Sequence, residues 1–357
     1  MGAALLVACG PPEPAVSSSE GSAGSASGAE PPRLLALFDS EGCDGVRGAV
    51  ALDDGGFLVA GESGVINGWL SRYDSTLDEL WSVGSSRGFR DLALAPDGSV
   101  WVAAGSGGQA ASIERFDLDG TPLPAPAELA LDPELELSSL TRLPWGWLAG
   151  GRRGASFPFD AWLAELDSQG ATLTVHPSPM GEGNVGAGIT AVEQAAGLAV
   201  ACGSAASGEW GWPWLLFLAL DSGDAFELEG EQPQLGVRSC RALAVGTAGV
   251  AYAESGELAR VSMLDSNRDE VWGQELDASV TALRFMHGEL LLEAGGGQLR
   301  ARELERGELL WSLELDVEDL RVRELVVLAE GSILVAGDTP GDVGECSESW
   351  LAVFGWD

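Results

Sequence analysis

The chain has 357 residues, of which 45% are hydrophobic, and it contains 50 glycines and 13 tryptophans. Its 55 acidic and 19 basic residues give a formal net charge of −36, so it repels phosphate backbones and anionic lipid headgroups, which excludes nucleic acid as a partner. Lysine is absent from the sequence, which excludes phosphate-loop lysines and Schiff-base chemistry.

The first nine residues end in the apolar run Leu5-Leu6-Val7-Ala8 followed by Cys9. This order resembles the lipobox of bacterial lipoproteins, so residues 1–9 are predicted to be a truncated lipoprotein signal with Cys9 as the lipidated residue. Acyl chains on Cys9 would contribute about 0.8 kcal/mol per buried methylene and would be the chain's only contact with a membrane. Only eight residues precede Cys9 and none is basic, which departs from a complete signal. The alternative is a frayed end with an incidental cysteine.

Residues 10–32 are almost entirely Pro, Ser, Gly, Ala and Glu. A segment of this composition cannot bury enough apolar surface to offset its ordering entropy. We therefore predict a disordered tether between the lipidated cysteine and the folded domain.

A repeated pattern begins near Arg47: short strands separated by turns, with the second strand of each copy ending in or near Ala-Gly. Seven copies are present, and their second strands lie at 57–61, 100–105, 147–150, 198–203, 250–254, 290–295 and 333–337. A closing acid marks the end of the third strand in six copies, at Asp74, Asp117, Asp167, Asp221, Asp265 and Glu305. We expect these acids to cap turns rather than to bind calcium, because they are distributed one per copy and do not converge on one point.

Four short strands in about 45 residues are typical of a propeller blade. We predict an all-β fold for residues 33–357, a single seven-bladed β-propeller of four-stranded antiparallel blades, with a pair of β-sandwiches as the alternative. The last copy has no residues left for a fourth strand. The apolar segment Arg33–Asp39 has no place in the first blade, so we expect it to close the last blade as the outer strand.

Several segments resemble known repeat families. Trp69-Leu70-Ser71-Arg72-Tyr73-Asp74, with the strand before it, is similar to bacterial repeats of the delta-60 type. The fourth strands also resemble the tryptophan-bearing ends of PQQ-like repeats, as at Glu79-Leu80-Trp81-Ser82, Glu270-Val271-Trp272 and Leu309-Leu310-Trp311-Ser312. The resemblance covers residues 34–357 and implies a bacterial lipoprotein β-propeller, although several copies lack the Asp-Gly turn or the tryptophan.

Four cysteines remain besides Cys9. In a propeller, the loop after the second strand of one blade lies beside the segment entering the next blade. This relationship selects the disulfides Cys202–Cys240 and Cys43–Cys346 from the three possible connectivities, and it implies an oxidising compartment. The second bond would close a loop of about 300 residues, worth at most roughly 5 kcal/mol. Four unrelated buried thiols are the alternative.

No catalytic or metal-binding constellation and no cofactor motif is evident. The two histidines, His176 and His287, are about 110 residues apart and are expected in a surface loop and a turn. The glycine clusters are interpreted as turns rather than phosphate loops.

The segment Trp210-Gly211-Trp212-Pro213-Trp214 is interpreted as a loop. Its tryptophans could form a stacking platform for sugar or peptide, or could simply pack over the fourth blade. Arg152 and Arg153 occupy the equivalent loop of the third blade. Trp210, Trp212, Arg152 and Arg153 are therefore the candidate ligand-face residues.

The sequence favours a non-catalytic, monomeric binding or scaffold module of the cell envelope, lipid-anchored on the periplasmic or outer surface, with an unidentified protein or carbohydrate partner. In class it resembles the lipoprotein propeller of the barrel-assembly machinery. The rival hypothesis is a propeller hydrolase or lyase acting on a sugar or lactone. That enzyme would need several carboxylates with perturbed pKa values at the central channel.

Overall fold

The structure, a computed structural model, describes residues 30–39, 44–64, 67–105, 111–124, 134–154, 159–176, 186–195, 197–207, 210–220, 225–229, 239–256, 258–317, 319–339 and 347–356. These residues form 27 strands. No helix with the length and apolar character needed to cross a bilayer occurs in these ranges. The predicted signal at 1–9, the predicted lipidation of Cys9, most of the predicted tether at 10–32 and the predicted Cys43–Cys346 disulfide fall outside these ranges.

The strands follow one another along the chain with short connections. In chain order they are β1 Arg33–Asp39, β2 Asp44–Ala51, β3 Phe57–Ser63, β4 Asn67–Tyr73, β5 Glu79–Ser85, β6 Phe89–Leu94, β7 Val100–Ala104, β8 Ser112–Phe116, β9 Leu135–Leu143, β10 Gly146–Arg153, β11 Asp160–Asp167, β12 Thr172–His176, β13 Gly186–Ala195, β14 Leu198–Ser207, β15 Trp210–Ala219, β16 Ala225–Glu229, β17 Ser239–Gly246, β18 Gly249–Ser255, β19 Ala259–Leu264, β20 Glu270–Leu276, β21 Ala282–Met286, β22 Leu290–Gly295, β23 Gln298–Glu303, β24 Leu309–Glu314, β25 Arg321–Val327, β26 Ile333–Thr339 and β27 Glu348–Gly355.

These strands form seven small antiparallel sheets, the blades of a propeller. The inner strands of blades one to seven are β2, β6, β9, β13, β17, β21 and β25. Each inner strand contacts the inner strands of the two neighbouring blades, and β2 contacts both β6 and β25, which closes the ring. The predicted seven-bladed all-β propeller is confirmed, and the seven predicted second strands correspond to β3, β7, β10, β14, β18, β22 and β26, although the prediction at 100–105 runs one residue past the end of β7.

The hydrophobic core is divided among the blades. Seven clusters of buried side chains occur, and each joins two consecutive blades. The second strands are the most buried, as in β7, where all five residues are buried, whereas the outer strand β12 is mostly exposed. A blade cannot shelter both of its faces alone, so stacking of neighbours supplies the core.

The predicted closure of the ring is confirmed. Strand β1 pairs antiparallel with β27, with Leu34 opposite Phe354 and Asp39 opposite Trp350. Blade seven is therefore completed by the segment that precedes blade one. Among the described residues, blade two has only three strands, plus a single bridge between Phe116 and Pro122, so a four-stranded blade is seen in six of the seven positions.

Four of the six predicted acids cap turns, as the sequence indicated, whereas Glu305 lies two residues beyond the end of β23 and accepts no hydrogen bond from a described backbone N–H. Asp74, Asp117, Asp167 and Asp265 each accept hydrogen bonds from the backbone N–H groups two and four residues later, at 2.7–3.0 Å. These bonds lower the pKa of Asp265, and at Asp74 the Thr76 hydroxyl and N–H lower the pKa most. Asp221 falls outside the described residues.

Two outer-strand tryptophans tie each of their blades to the next. The indole N–H of Trp81 donates to the Leu118 carbonyl at 2.9 Å, and that of Trp272 donates to the Leu304 carbonyl at 2.7 Å. Both indoles lie over a glycine of the following blade, Gly120 and Gly307 respectively. The outer strands thereby add polar inter-blade contacts to the apolar core.

Candidate functional site

One of the two predicted disulfides lies within the described residues. Cys202, in the second strand of blade four, is bonded to Cys240, in the inner strand of blade five, with their Cα atoms 6.0 Å apart. Both half-cystines are buried in the cluster between the two blades. The bond therefore crosses the interface between two consecutive blades, as predicted from the sequence.

The tryptophan segment of blade four is a strand, not the expected loop. Strand β15 begins at Trp210, with Trp212 opposite Ala205 and Trp214 opposite Gly203. Trp214 is buried and Trp212 is half-buried against the core between blades three and four, so the indole of Trp212 does not offer a free stacking platform. Since β16 pairs only with Trp214–Leu218, Pro213 lies beyond the end of the outer strand, where a sheet tolerates proline.

Arg152 and Arg153 were also expected in a loop, but they are the last two residues of β10. Both are exposed. The Arg152 guanidinium pairs with Glu136 and lies 4.3 Å from the centre of the Phe159 ring. Arg152 lines the central channel, so this predicted ligand-face residue does belong to the recess described next.

A central channel with a volume of about 860 Å³ runs between the inner strands of all seven blades. Six of the seven blades carry a β-bulge near the start of the inner strand, where the register shifts by one residue. In blade six, Thr281 lies just before β21 and its N–H donates to the Ala294 carbonyl at 2.9 Å. A bulge re-aims the extra residue's side chain. The six bulged residues and Thr281 all line the channel: Arg47, Arg90, Ser138, Thr190, Arg241, Thr281 and Arg323.

The bulged residues lie close to the end of the ring at which the inner strands begin and the second strands end. We call this end the upper face. Together with Arg152, four bulged residues make five arginines that we call the arginine mouth: Arg47, Arg90, Arg152, Arg241 and Arg323. Three come from the consecutive blades seven, one and two.

A buried carboxylate, Asp338, and a half-buried one, Glu62, hold the arginines of blades seven, one and two side by side. Glu62 accepts a hydrogen bond from Arg47 Nε at 3.0 Å and lies 3.3 Å from Arg90 Nη1. Asp338 accepts a hydrogen bond from Arg323 Nε at 2.6 Å and lies 3.8 Å from Arg47 Nη1. Three guanidinium groups thus share two carboxylates, which leaves this group with a net positive charge.

The arginines, not the acids, are presented to the channel. The side chains of Asp338 and Glu62 are 1% and 14% exposed, whereas those of Arg47, Arg90 and Arg323 are 23%, 28% and 35% exposed. Burial lowers the pKa of the Arg90 guanidinium, as do the neighbouring cations Arg47 and Arg152, while Glu62 raises it. The mouth is therefore a cationic surface over buried acids.

Deeper in the channel, three carboxylates lie on inner strands: Asp91, Glu193 and Glu324. Burial raises the pKa of Asp91 to about 7 and also raises the pKa of Glu193. The pKa of Glu324 is well above its usual range because of burial, with further increases from Asp91 and Glu193. The enzyme hypothesis required several carboxylates with perturbed pKa values at the central channel, and these three residues have such values.

Two of these carboxylates already have structural partners. Asp91 accepts hydrogen bonds from the Ser139 hydroxyl at 2.9 Å and from the Leu140 N–H at 2.8 Å, and Ser139 Oγ in turn accepts one from the Val192 N–H at 3.1 Å. This chain of bonds links blades two, three and four. Glu193 pairs with Arg284, two blades away, at 3.3 Å. Glu324 is the carboxylate of the three for which the described residues supply no bonded partner.

The histidines lie outside the channel lining. His287 is in the predicted turn, with a φ of 52°. His176 was expected in a loop but ends β12, where its Nε2 lies 2.9 Å from Glu165 Oε1. Within the described ranges, no three His, Cys, Asp or Glu side chains converge closely enough to hold a metal ion.

Sequence reasoning missed four of the five mouth arginines. A signal was available: Arg47, Arg90, Arg241 and Arg323 each precede the end of the following second strand by about 14 residues, a spacing set by one inner strand, one turn and one second strand. Without the bulge, however, the period-two pattern does not place these side chains on the channel.

No protein family and no curated protein matches this sequence. Solved propeller structures do. A catalytically inactive histidine variant of virginiamycin B lyase from Staphylococcus aureus, with quinupristin, is 11% identical with a TM-score of 0.60, over 88% of this chain and 98% of that chain.

Two further structures are also similar. BamB from Moraxella catarrhalis is 15% identical with a TM-score of 0.50, over 89% of this chain and 85% of its own. The extracellular region of plexin A4 is 8% identical with a TM-score of 0.61, over 91% of this chain and 40% of its own. At these identities the similarity establishes the β-propeller fold and nothing finer.

Proposed function

We propose that this chain is a lipid-anchored β-propeller of the cell envelope that binds a protein or ligand at its upper face and catalyses no reaction. The observation that carries the proposal is the inverted charge of the channel mouth, where five arginines converge in a chain with a net charge of −36. Ionic screening acts over about 8–10 Å, so the distant surface acids weaken this local field little. The upper face therefore selects partners by charge.

The envelope location rests on two observations. The run Leu5-Leu6-Val7-Ala8-Cys9 has the order of a lipobox. The buried Cys202–Cys240 disulfide fits a protein that folds in an oxidising compartment. Metabolic labelling with an alkyne fatty acid tests the anchor: the wild-type chain is expected to take up label and sediment with membranes, and Cys9→Ser is expected to lose both. Equal labelling of the two chains would contradict the anchor.

The binding face is tested by affinity capture from the native envelope with quantitative mass spectrometry. Arg47→Gln/Arg323→Gln is expected to lose partners that the wild-type chain captures. The matched control is Arg142→Gln/Arg306→Gln. Arg142 follows the bulge of its strand and lies deeper in the channel than the mouth. Arg306 is 71% exposed and lies in a turn at the opposite end of its blade. Equal capture by all three chains would contradict a role for the upper face.

One observation favours a second candidate, a lyase or hydrolase, namely the raised pKa values of the channel carboxylates. Against it, the propeller lyase to which the chain is similar is inactive as a histidine variant, whereas His176 and His287 both lie outside this channel. Turnover of sugar or lactone substrates that disappears in Glu324→Gln, with an unchanged melting temperature, would support the enzyme. No turnover, or turnover that Glu324→Gln retains, would contradict it.

A further inference from the structure

The geometry of the upper face points to a ligand: we propose that the arginine mouth binds a small dissolved anion that carries at least two oxyanion groups, carboxylate or phosphate. This inference rests on the proposed binding function and names the chemistry that the site recognises. Its starting point is the shape of the site. Bulges in the inner strands of blades one, two, five and seven turn four arginine side chains toward one recess, and Arg152 adds a fifth from a second strand.

The arginine mouth carries more positive than negative charge. Five guanidinium groups face three bonded carboxylates, Glu62, Glu136 and Asp338. The whole chain has nearly three acids for each arginine, so this local excess of cations is opposite to the composition of the protein. Clustering like charges is unfavourable unless an anion neutralises them.

Several guanidinium N–H groups of the mouth have no partner among the described residues. A guanidinium has five N–H donors. Among the described residues, Arg90 bonds only Glu62, through Nη1, and Arg323 bonds only Asp338, through Nε and Nη2. Arg241 donates to the Ser255 hydroxyl at 2.8 Å and pairs with none of the described carboxylates. The remaining donors can form the bidentate bonds that carboxylate and phosphate groups accept.

The mouth arginines are oriented by the carboxylates beneath them. Glu62 and Asp338 orient Arg47, Arg90 and Arg323 without covering them, because the acids lie beneath and the guanidinium groups remain partly exposed. Such prior orientation lowers the entropy lost on binding. A ligand with two oxyanion groups is favoured over one with a single group, since it can engage guanidinium groups of neighbouring blades at once.

The test is isothermal titration of the full-length chain with pyrophosphate and, separately, with citrate. We expect saturable binding of one probe per chain that weakens as sodium chloride is raised, because the contacts are ionic. Binding of pyrophosphate alone assigns a phosphate ligand, binding of citrate alone assigns a polycarboxylate, and binding of both assigns general oxyanion recognition. Each of these three results supports the proposal. No saturable binding of either probe up to about 10 mM, an affinity of roughly −3 kcal/mol, overturns it.

Variants locate the binding. The double variant Arg47→Gln/Arg90→Gln should lower the affinity for the probe at least about tenfold, since two charge-assisted contacts are lost. This variant leaves Glu62 unpaired and could unfold, so Arg241→Gln is the second test: its guanidinium bonds a hydroxyl, and its loss orphans no described carboxylate. We expect Arg241→Gln to weaken binding several-fold at an unchanged melting temperature. Arg306→Gln is the control, and equal affinity in the wild type and all variants overturns the proposal.

These experiments separate the inference from the proposed function. If neither probe binds while envelope capture still depends on Arg47 and Arg323, the oxyanion site is wrong and the binding face stands. If a probe binds through the mouth while capture is the same in all chains, the oxyanion site stands and the partner-binding role of the face is wrong.

Discussion

The Ser349 hydroxyl donates a hydrogen bond to the Asp44 carbonyl at 2.9 Å, joining two residues that are 305 positions apart in the chain. Asp44 begins the inner strand of blade one, and Ser349 belongs to the third strand of blade seven. The bond therefore crosses the junction at which the ring closes, beside the pairing of β1 with β27.

This contact supports the second disulfide predicted from the sequence. Cys43 immediately precedes Asp44, and Cys346 lies three residues before Ser349. We expect non-reducing peptide mapping of the purified chain to yield a linked Cys43–Cys346 pair, with the Cys202–Cys240 peptide as the internal control. Alkylation of Cys43 and Cys346 as free thiols, in a sample where Cys202–Cys240 is linked, would show the prediction to be wrong.

Removal of the closing strand should destabilise the ring. Phe38 packs against Tyr73 with ring centres 5.6 Å apart, and Ala36 joins the same cluster between blades seven and one. Deletion of residues 1–39 is expected to lower the free energy of unfolding by at least about 3 kcal/mol and to promote association through the bare edge of β27. Urea unfolding and size-exclusion chromatography measure these effects. Deletion of residues 1–29 is the control, and similar losses in both truncations would argue against a closing role for β1.

The close approach of Trp272 to Gly307 predicts a large effect of one methyl group. A Cβ at Gly307 would lie 2.6 Å from the indole, and the φ of Gly307 is +69°. Gly307→Ala is expected to cost about 2–4 kcal/mol, the sum of a left-handed backbone penalty of about 1–2 kcal/mol and overpacking. Gly55→Ala separates the two causes, because Gly55 has a φ of +87° and open space around its Cβ direction. Equal urea midpoints for the two variants would rule out the packing contribution.

The raised pKa of Asp91 predicts how the free energy of unfolding changes with pH. Its pKa is about 7 in the folded chain against 3.8 as the ordinary value, so the folded state binds more protons than the unfolded state between about pH 4 and 7. This contribution to stability is present below about pH 4 and is lost as the pH rises through 7, with a slope of up to about 1.4 kcal/mol per pH unit. The raised pKa values of Glu193 and Glu324 act in the same direction.

Urea unfolding between pH 5 and 7 tests this prediction. Asp91→Asn is expected to have a shallower slope than the wild type, because the variant has no proton to release at this position. Asp265→Asn is the control: the pKa of Asp265 is lowered, so its contribution has the opposite sign and falls below about pH 4. Parallel slopes for the wild type and Asp91→Asn would contradict the assignment.

The sequence by itself determined the number of blades, the order of their strands and the closure by β1. These features are local or periodic: alternating burial, turn-capping acids such as Asp74 and a fixed blade length each leave a mark within a few residues. The loop predicted at Trp210–Trp214 was wrong, because these residues pair with β14 and extend β15 beyond the end of the outer strand β16.

Only the tertiary structure decided the arginine mouth and the acids beneath it. Arg47, Arg90 and Arg323 lie in three different blades and meet because bulges re-aim their side chains and the ring brings blades seven, one and two together. The pKa of Asp91 depends on its burial in the channel and on donors from blade three. Charge sharing and desolvation are properties of atoms in space, and residues hundreds of positions apart carry no local pattern that predicts them.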